Sequence, residues 1–114
     1  MLSFHSIRTI VEKICVQNNA DLALLFGSYA RGTATEKSDI DLIFVEETQQ
    51  PFLRRLDRYF DTLSDMLHSS IDIFVYNPKE FEAMKDSFFL QKALKEGIVL
   101  YESGKIRAGS MQVA

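Results

Sequence analysis

Apolar positions recur along this chain at two different spacings. Ile7, Ile10, Val11, Ile14 and Cys15 fall at i, i+3, i+4, i+7 and i+8, one stripe at helical period, so a helix is predicted over roughly residues 4–18. Asn18 and Asn19 end it. Leu22-Ala-Leu-Leu-Phe26 is a short continuous apolar run that stops at Gly27, the pattern of a buried strand entering a tight turn. Ser28 to Gly32 can form one helical turn, and Thr33 to Ser38 is polar and irregular. Asp39-Ile-Asp-Leu-Ile-Phe-Val45 is rich in β-formers and predicts a second strand.

Pro51 suits the first turn of a helix, and Phe52, Leu56, Tyr59, Phe60, Leu63 and Leu67 would line its inner face. Arg54, Arg55, Arg58 and Asp61 are expected on a solvated charged face. Ile71-Asp-Ile-Phe-Val-Tyr76 predicts a third strand. Asn77-Pro-Lys-Glu80 combines an N-cap, a proline at the first helical position and a glutamate at the third. Asp86 or Ser87 would cap a further helix with Phe89, Ala93 and Leu94 inward and Gly97 at its end; Ile98 to Tyr101 would add a short strand. The expected fold is α/β (α+β): a small mixed sheet of three to four strands with helices packed on one face. One domain is expected over residues 1–101, with residues 102–114 as a flexible tail.

Composition narrows the functional classes. The chain has 114 residues, 46% apolar and 25% charged, with a net charge of −3, enough for one modest core. Without a basic block, a long nucleic-acid partner is disfavoured. A single cysteine, Cys15, excludes an internal disulfide and reads as a buried structural thiol in a reducing compartment. Neither a signal peptide nor a membrane-length apolar run is present, so a cytoplasmic protein without membrane contact is expected. His5 and His68 lack metal-type spacing and are expected at the surface or at helix ends.

The candidate chemistry lies on the acidic strand. Alternation puts Asp39 and Asp41 on one face, with Ile40, Leu42 and Phe44 on the other. Two carboxylates ~5 Å apart at an effective dielectric near 20 repel by about 3 kcal/mol, a penalty that a divalent cation removes. Mg²⁺ takes such hard oxygen ligands, often between carboxylates and phosphates. An Asp-x-Asp alone also fits a solvated loop before a strand. Asp72 adds a third carboxylate near the start of the next strand, and the roughly 25 residues between the two strands contain a helix, which suits a parallel crossover. Parallel pairing would bring Asp72 to the same sheet end, where a two-metal site needs it. Gly27 and Ser28 would lie beside the same end if the first two strands pair antiparallel. There Gly27 permits close backbone approach, and Ser28 offers a hydroxyl and an amide to phosphate. Arg31 sits one helical turn on. Lys37 reads as a solvated loop lysine; Tyr29 could stack on a base or pack beside the turn.

The stretch Gly27-Ser-Tyr-Ala-Arg-Gly-Thr-Ala-Thr-Glu-Lys-Ser-Asp-Ile-Asp41 resembles the signature of minimal nucleotidyltransferases in the DNA polymerase β-like superfamily: Gly-Ser, ten residues, Asp-x-Asp, then a later strand carboxylate. Ala30-Arg31-Gly32 and Ser38 also match. The resemblance implies the palm-like nucleotidyltransferase fold. It also implies a triphosphate held by Gly27, Ser28, Arg31 and Ser38, and Mg²⁺ on Asp39 and Asp41. Asp72 would be a further ligand or the base on an acceptor hydroxyl. ATP is the substrate the family implies. The chain ends soon after the catalytic layer, so the acceptor or a partner subunit is expected to complete the walls. Minimal members are similar to antitoxins paired with helical HEPN-type toxins, which implies AMP transfer to a toxin tyrosine. Two other readings stand beside it: a binding module that masks its partner without chemistry, and transfer to a small molecule such as an aminoglycoside, with a homo-oligomer completing the pocket.

Overall fold

The computed structural model describes residues 2–106. Helix α1 (Phe4–Asn18) starts where the Ser3 side chain accepts from the Ser6 amide and ends at Asn19, which takes the left-handed conformation. Strand β1 (Leu22–Phe26) runs into a one-turn helix, α2 (Gly27–Arg31), and then, after a loop, into β2 (Ile40–Val45). A crossover of two helices, α3 (Phe52–Arg55) and α4 (Asp57–Leu67), leads to β3 (Ile71–Tyr76). The helices α5 (Pro78–Ala83) and α6 (Phe88–Glu96) precede the last strand, β4 (Ile98–Glu102). The sheet order is β3-β2-β1-β4. β2 and β3 are parallel, and β1 is antiparallel to both β2 and β4. The mixed four-stranded sheet is the expected fold class.

Strand alternation sorts the core onto the two faces of the sheet. Ile40, Leu42 and Phe44 join Ile7, Val11 and Ile14 of α1 and Tyr59, Leu63 and Leu67 of α4 in the larger cluster, with Phe44 and Tyr59 stacked at 4.3 Å. Leu22, Leu24, Ile43 and Val45 face the other way and meet Phe81 of α5 and Leu90, Ala93 and Leu94 of α6. Helices were expected on one face. α1 and α4 supply that face, and α5 and α6 form a second, smaller cluster on the opposite one. Asp41, two residues before Ile43, therefore shares a face with the α6 side.

Several expectations need correction. The predicted helix after Pro51 is broken at Leu56 into α3 and α4, and Phe52 and Phe60 stay 39% and 47% exposed. Arg55, expected in solvent, is buried. Its guanidinium donates to the Gln50 carbonyl at 2.8 Å, the Val75 carbonyl at 3.1 Å, and both Glu80 carboxylate oxygens at 2.5 and 3.2 Å. Full satisfaction of the donor set is what permits burial of that charge. The α5 start is the expected one: a reciprocal capping box links Asn77 and Glu80. Ser87, not Asp86, caps α6. β4 extends to Glu102 and Ser103 donates to the Asp21 carbonyl; the rest of the segment expected as a tail, from residue 107, lies outside the described residues. None of the described helices is long and apolar enough to cross a membrane.

Candidate active site

The ladder on each side of β2 places the acidic residues. Asp41 is paired with Phe26 of β1 on one side and with Asp72 of β3 on the other. The parallel register thus sets the Asp41 and Asp72 backbones side by side at the same sheet end. Asp39 stands just ahead of β2, exposed rather than in the strand where it was expected. Burial, the charge of Asp72, a carboxyl–carboxyl hydrogen bond with Asp72 and the charge of Asp39 together push the Asp41 carboxyl up to about 6; Arg31 partly counteracts them. All three aspartates therefore interact at Asp41, and the mutual repulsion has no matching cation among them.

Gly27 closes against this group. Its φ is +73°, and a Cβ there would lie 2.1 Å from an Asp41 carboxylate oxygen. Both facts demand glycine: the backbone is left-handed, and the space is already filled by the carboxylate. The first turn of α2 that follows has no side-chain cap, which leaves its amides for an anion. Arg31 closes that turn, paired with Glu96 of α6 at 3.4 Å.

A cavity of about 510 Å³ opens beside these residues. One wall is made of Gly27, Ser28, Arg31, Asp39 and Asp41; the other is Phe88, Phe89, Lys92, Ala93 and Glu96 of α6, with Phe26 between. Five of the seven residues expected at the site line it. Asp72 does not; it is set beside Asp41 on the edge strand. Nor does Ser38, whose hydroxyl accepts from the Thr35 amide at 2.8 Å and so serves the loop that delivers Asp39. Tyr29 packs against the larger core, which resolves its two readings towards packing. Cys15 is buried, its thiol pushed up to about 12 chiefly by desolvation, as expected of a structural cysteine.

The α6 wall is absent from the sequence reading, although a signal existed. Phe88, Lys92 and Glu96 fall at i, i+4 and i+8, a face that the expected inward set Phe89, Ala93 and Leu94 drew attention away from; of that set Phe89 is 38% exposed, and Leu90 is buried with Ala93 and Leu94 in its place.

The donor set suits a hard divalent cation. Among the described residues no group of three or more His, Cys, Asp or Glu side chains forms a metal cage by itself. What exists is a carboxylate pair, Asp41 with Asp72, and Asp39 acting on it. Mg²⁺ commonly takes one or two carboxylates and completes its shell with phosphate oxygens and water, so the pair fits such an ion when a phosphorylated substrate is present. The crowding of negative charge that raises the Asp41 carboxyl is the observation that supports this fit.

Comparison with known proteins agrees with the geometry. A family model described as polymerase beta, nucleotidyltransferase matches residues 9–106. A Methanocaldococcus jannaschii protein, provisionally named a protein adenylyltransferase, is 35% identical over 75 residues, spanning 66% of this chain and 69% of the relative. The fold is similar to that of a toxin–antitoxin crystal structure with AMP-PNP, with TM-score 0.67 and 22% identity, over 86% of this chain and 75% of that one. It is also similar to a complex of the tri-AMPylated Shewanella oneidensis HEPN toxin with its MNT antitoxin, with TM-score 0.55 and 19% identity, over 84% and 70%.

Proposed function

The chain belongs to the polymerase beta nucleotidyltransferase family, and from that premise we propose that it transfers AMP from ATP to a tyrosine hydroxyl of a HEPN-type protein partner, acting as the antitoxin of the pair. The Asp41–Asp72 pair, set side by side by the parallel register against a glycine that leaves no room for a Cβ, carries this reading. The relative named for protein adenylylation and the AMPylated toxin complex on the same fold support the choice of donor and acceptor.

In this reading Gly27 and Ser28 hold the triphosphate through the first turn of α2. Arg31 exchanges Glu96 for a phosphate oxygen. Asp39, Asp41 and Asp72 are the residues that would hold Mg²⁺, whose presence supplies charge neutralisation for the triphosphate and relieves carboxylate repulsion. Asp72, exposed on the edge strand beside Asp41, accepts the proton of the incoming hydroxyl in this reading. The hydroxyl oxygen bonds to the α-phosphorus as the bond to pyrophosphate breaks. Ser38 keeps the Thr35 turn in place and so fixes the approach to Asp39.

The test is transfer from ATP labelled at the α-phosphate, with Mg²⁺ and the HEPN-type partner. Label is expected on a partner tyrosine. Combining Asp39→Asn and Asp41→Asn should abolish labelling and neutralisation while partner binding persists. Equal neutralisation by that double variant would replace transfer with steric masking, and label on an aminoglycoside in place of protein would move the acceptor to a small molecule.

A further inference from the structure

The cavity beside Asp41 has two unlike ends. At one end Phe26 and Phe89 meet edge to face with centroids 5.5 Å apart, and Phe74 backs Phe89 at 5.1 Å. This cluster fixes the first turn of α6. Phe88, the neighbouring residue, is 85% exposed yet lines the cavity. An exposed phenylalanine contributes little to the fold, and here its ring stands at the mouth of a cleft already walled by aromatic groups. Towards the C-terminal end of α6 the lining is charged, with Lys92 and Arg31 beside Glu96. Lys92 lies one helical turn beyond Phe88, on the same face of α6, and Arg31 reaches across from α2. The Arg31–Glu96 pair is long at 3.4 Å and open to solvent on both sides, so Arg31 is readily exchanged to an anion.

A nucleoside triphosphate has the same polarity: a flat π-surface at one end and its greatest negative charge at the other. With the α-phosphate at Asp41, where the transfer reading puts it, the nucleoside and the outer phosphates extend from it on separate bonds and can reach different turns of α6. We infer that α6 is the second wall of the nucleotide site: the base stacks on Phe88, and the outer phosphates point towards Lys92 and Arg31. The inference rests on the nucleotidyl-transfer reading and adds an orientation and two specificity residues to it. Stacking on an aromatic ring favours any base over none and discriminates weakly between bases. The free energy of holding the nucleoside therefore comes from Phe88, and that of holding the polyphosphate from Lys92 with Arg31.

The test compares ATP with inorganic tripolyphosphate, which has the charge and lacks the base, both with Mg²⁺ and the full chain. The sequence contains no tryptophan, so Phe88→Trp gives a unique fluorophore at the proposed stacking point. ATP should quench its emission and tripolyphosphate should not. Phe88→Ala should weaken ATP about tenfold and leave tripolyphosphate affinity unchanged, the latter also showing that the variant is folded. Lys92→Ala should weaken both ligands by a similar factor. If wild type binds ATP, and Phe88→Ala binds it equally well with no ATP-dependent quenching in Phe88→Trp, the orientation is overturned while the transfer reading stands. If wild type binds neither ATP nor tripolyphosphate, the transfer reading fails, and the orientation with it.

Discussion

The two ends of the β-sheet treat charge in opposite ways. Where β2 ends, each buried charge among the described residues has a side-chain partner, with one Glu46 carboxylate oxygen left without a hydrogen bond. Glu46, immediately after Val45, pairs with Arg58, Arg55 spans Glu80 and two backbone carbonyls, and Asp21 accepts from Ser103 at 3.2 Å. The Arg55 hydrogen bond also holds the Glu80 carboxyl below its ordinary value, the sign of a charge the fold welcomes. Where β2 begins, Asp39, Asp41 and Asp72 crowd together, and the nearest guanidinium, Arg31, is engaged with Glu96. There the shift is upward, the sign of a charge the fold resists. A chain that gives its buried charges partners at one end leaves carboxylates unmatched at the other for a reason outside its own stability.

The sharpest way to break the comparison is at the open end. Gly27→Ala forces a Cβ into the Asp41 carboxylate at a left-handed position, displacing both phosphate grip and carboxylate by roughly an ångström. AMP transfer should fall about a hundredfold, read from single-turnover labelling. Arg55→Ala strikes the closed end. It leaves the Gln50 and Val75 carbonyls without their side-chain donor and should cost about 2 kcal/mol in chemical denaturation, with transfer by the folded protein unchanged. The smallest effect has the opposite sign. Because the folded state favours the protonated Asp41 carboxyl, its ionised form opposes folding. That opposition is absent below the ordinary value of 3.8, grows as pH rises towards about 6, and is complete above it. Asp41→Asn should therefore stabilise the metal-free protein at about pH 8 by about 1 kcal/mol after solvent screening, and by nothing measurable at about pH 3.5. Equal stability of the two proteins at both pH values would remove the idea that the open end is strained.

Legibility in the sequence followed range. Gly27, Ser28, Asp39 and Asp41 belong to one local run, and the strand pattern with a helical crossover was enough to bring Asp72 to the same end. The Asn77–Glu80 cap is equally local, because its partners are three residues apart. The closed end was illegible because its partners are far apart: Arg55 finds Glu80 across 25 positions, and Ser103 finds Asp21 across 82. Periodicity alone placed Arg55 in solvent, since it records hydropathy and knows nothing of a waiting acceptor. The second wall of the cavity was missed for a related reason. Phe89 and Phe88 are chemically identical letters, and only the packing of Phe26 and Phe74 decides that one is held and the other displayed.

Asp41 is gripped by hydrogen-bonded ladders on both flanks, whereas Phe88 and Lys92 stand exposed on a helix surface. Descent with modification can therefore treat the two halves of this cleft differently. On the inferred arrangement, letters on the helix can change in single steps without disturbing the strands that carry the carboxylates.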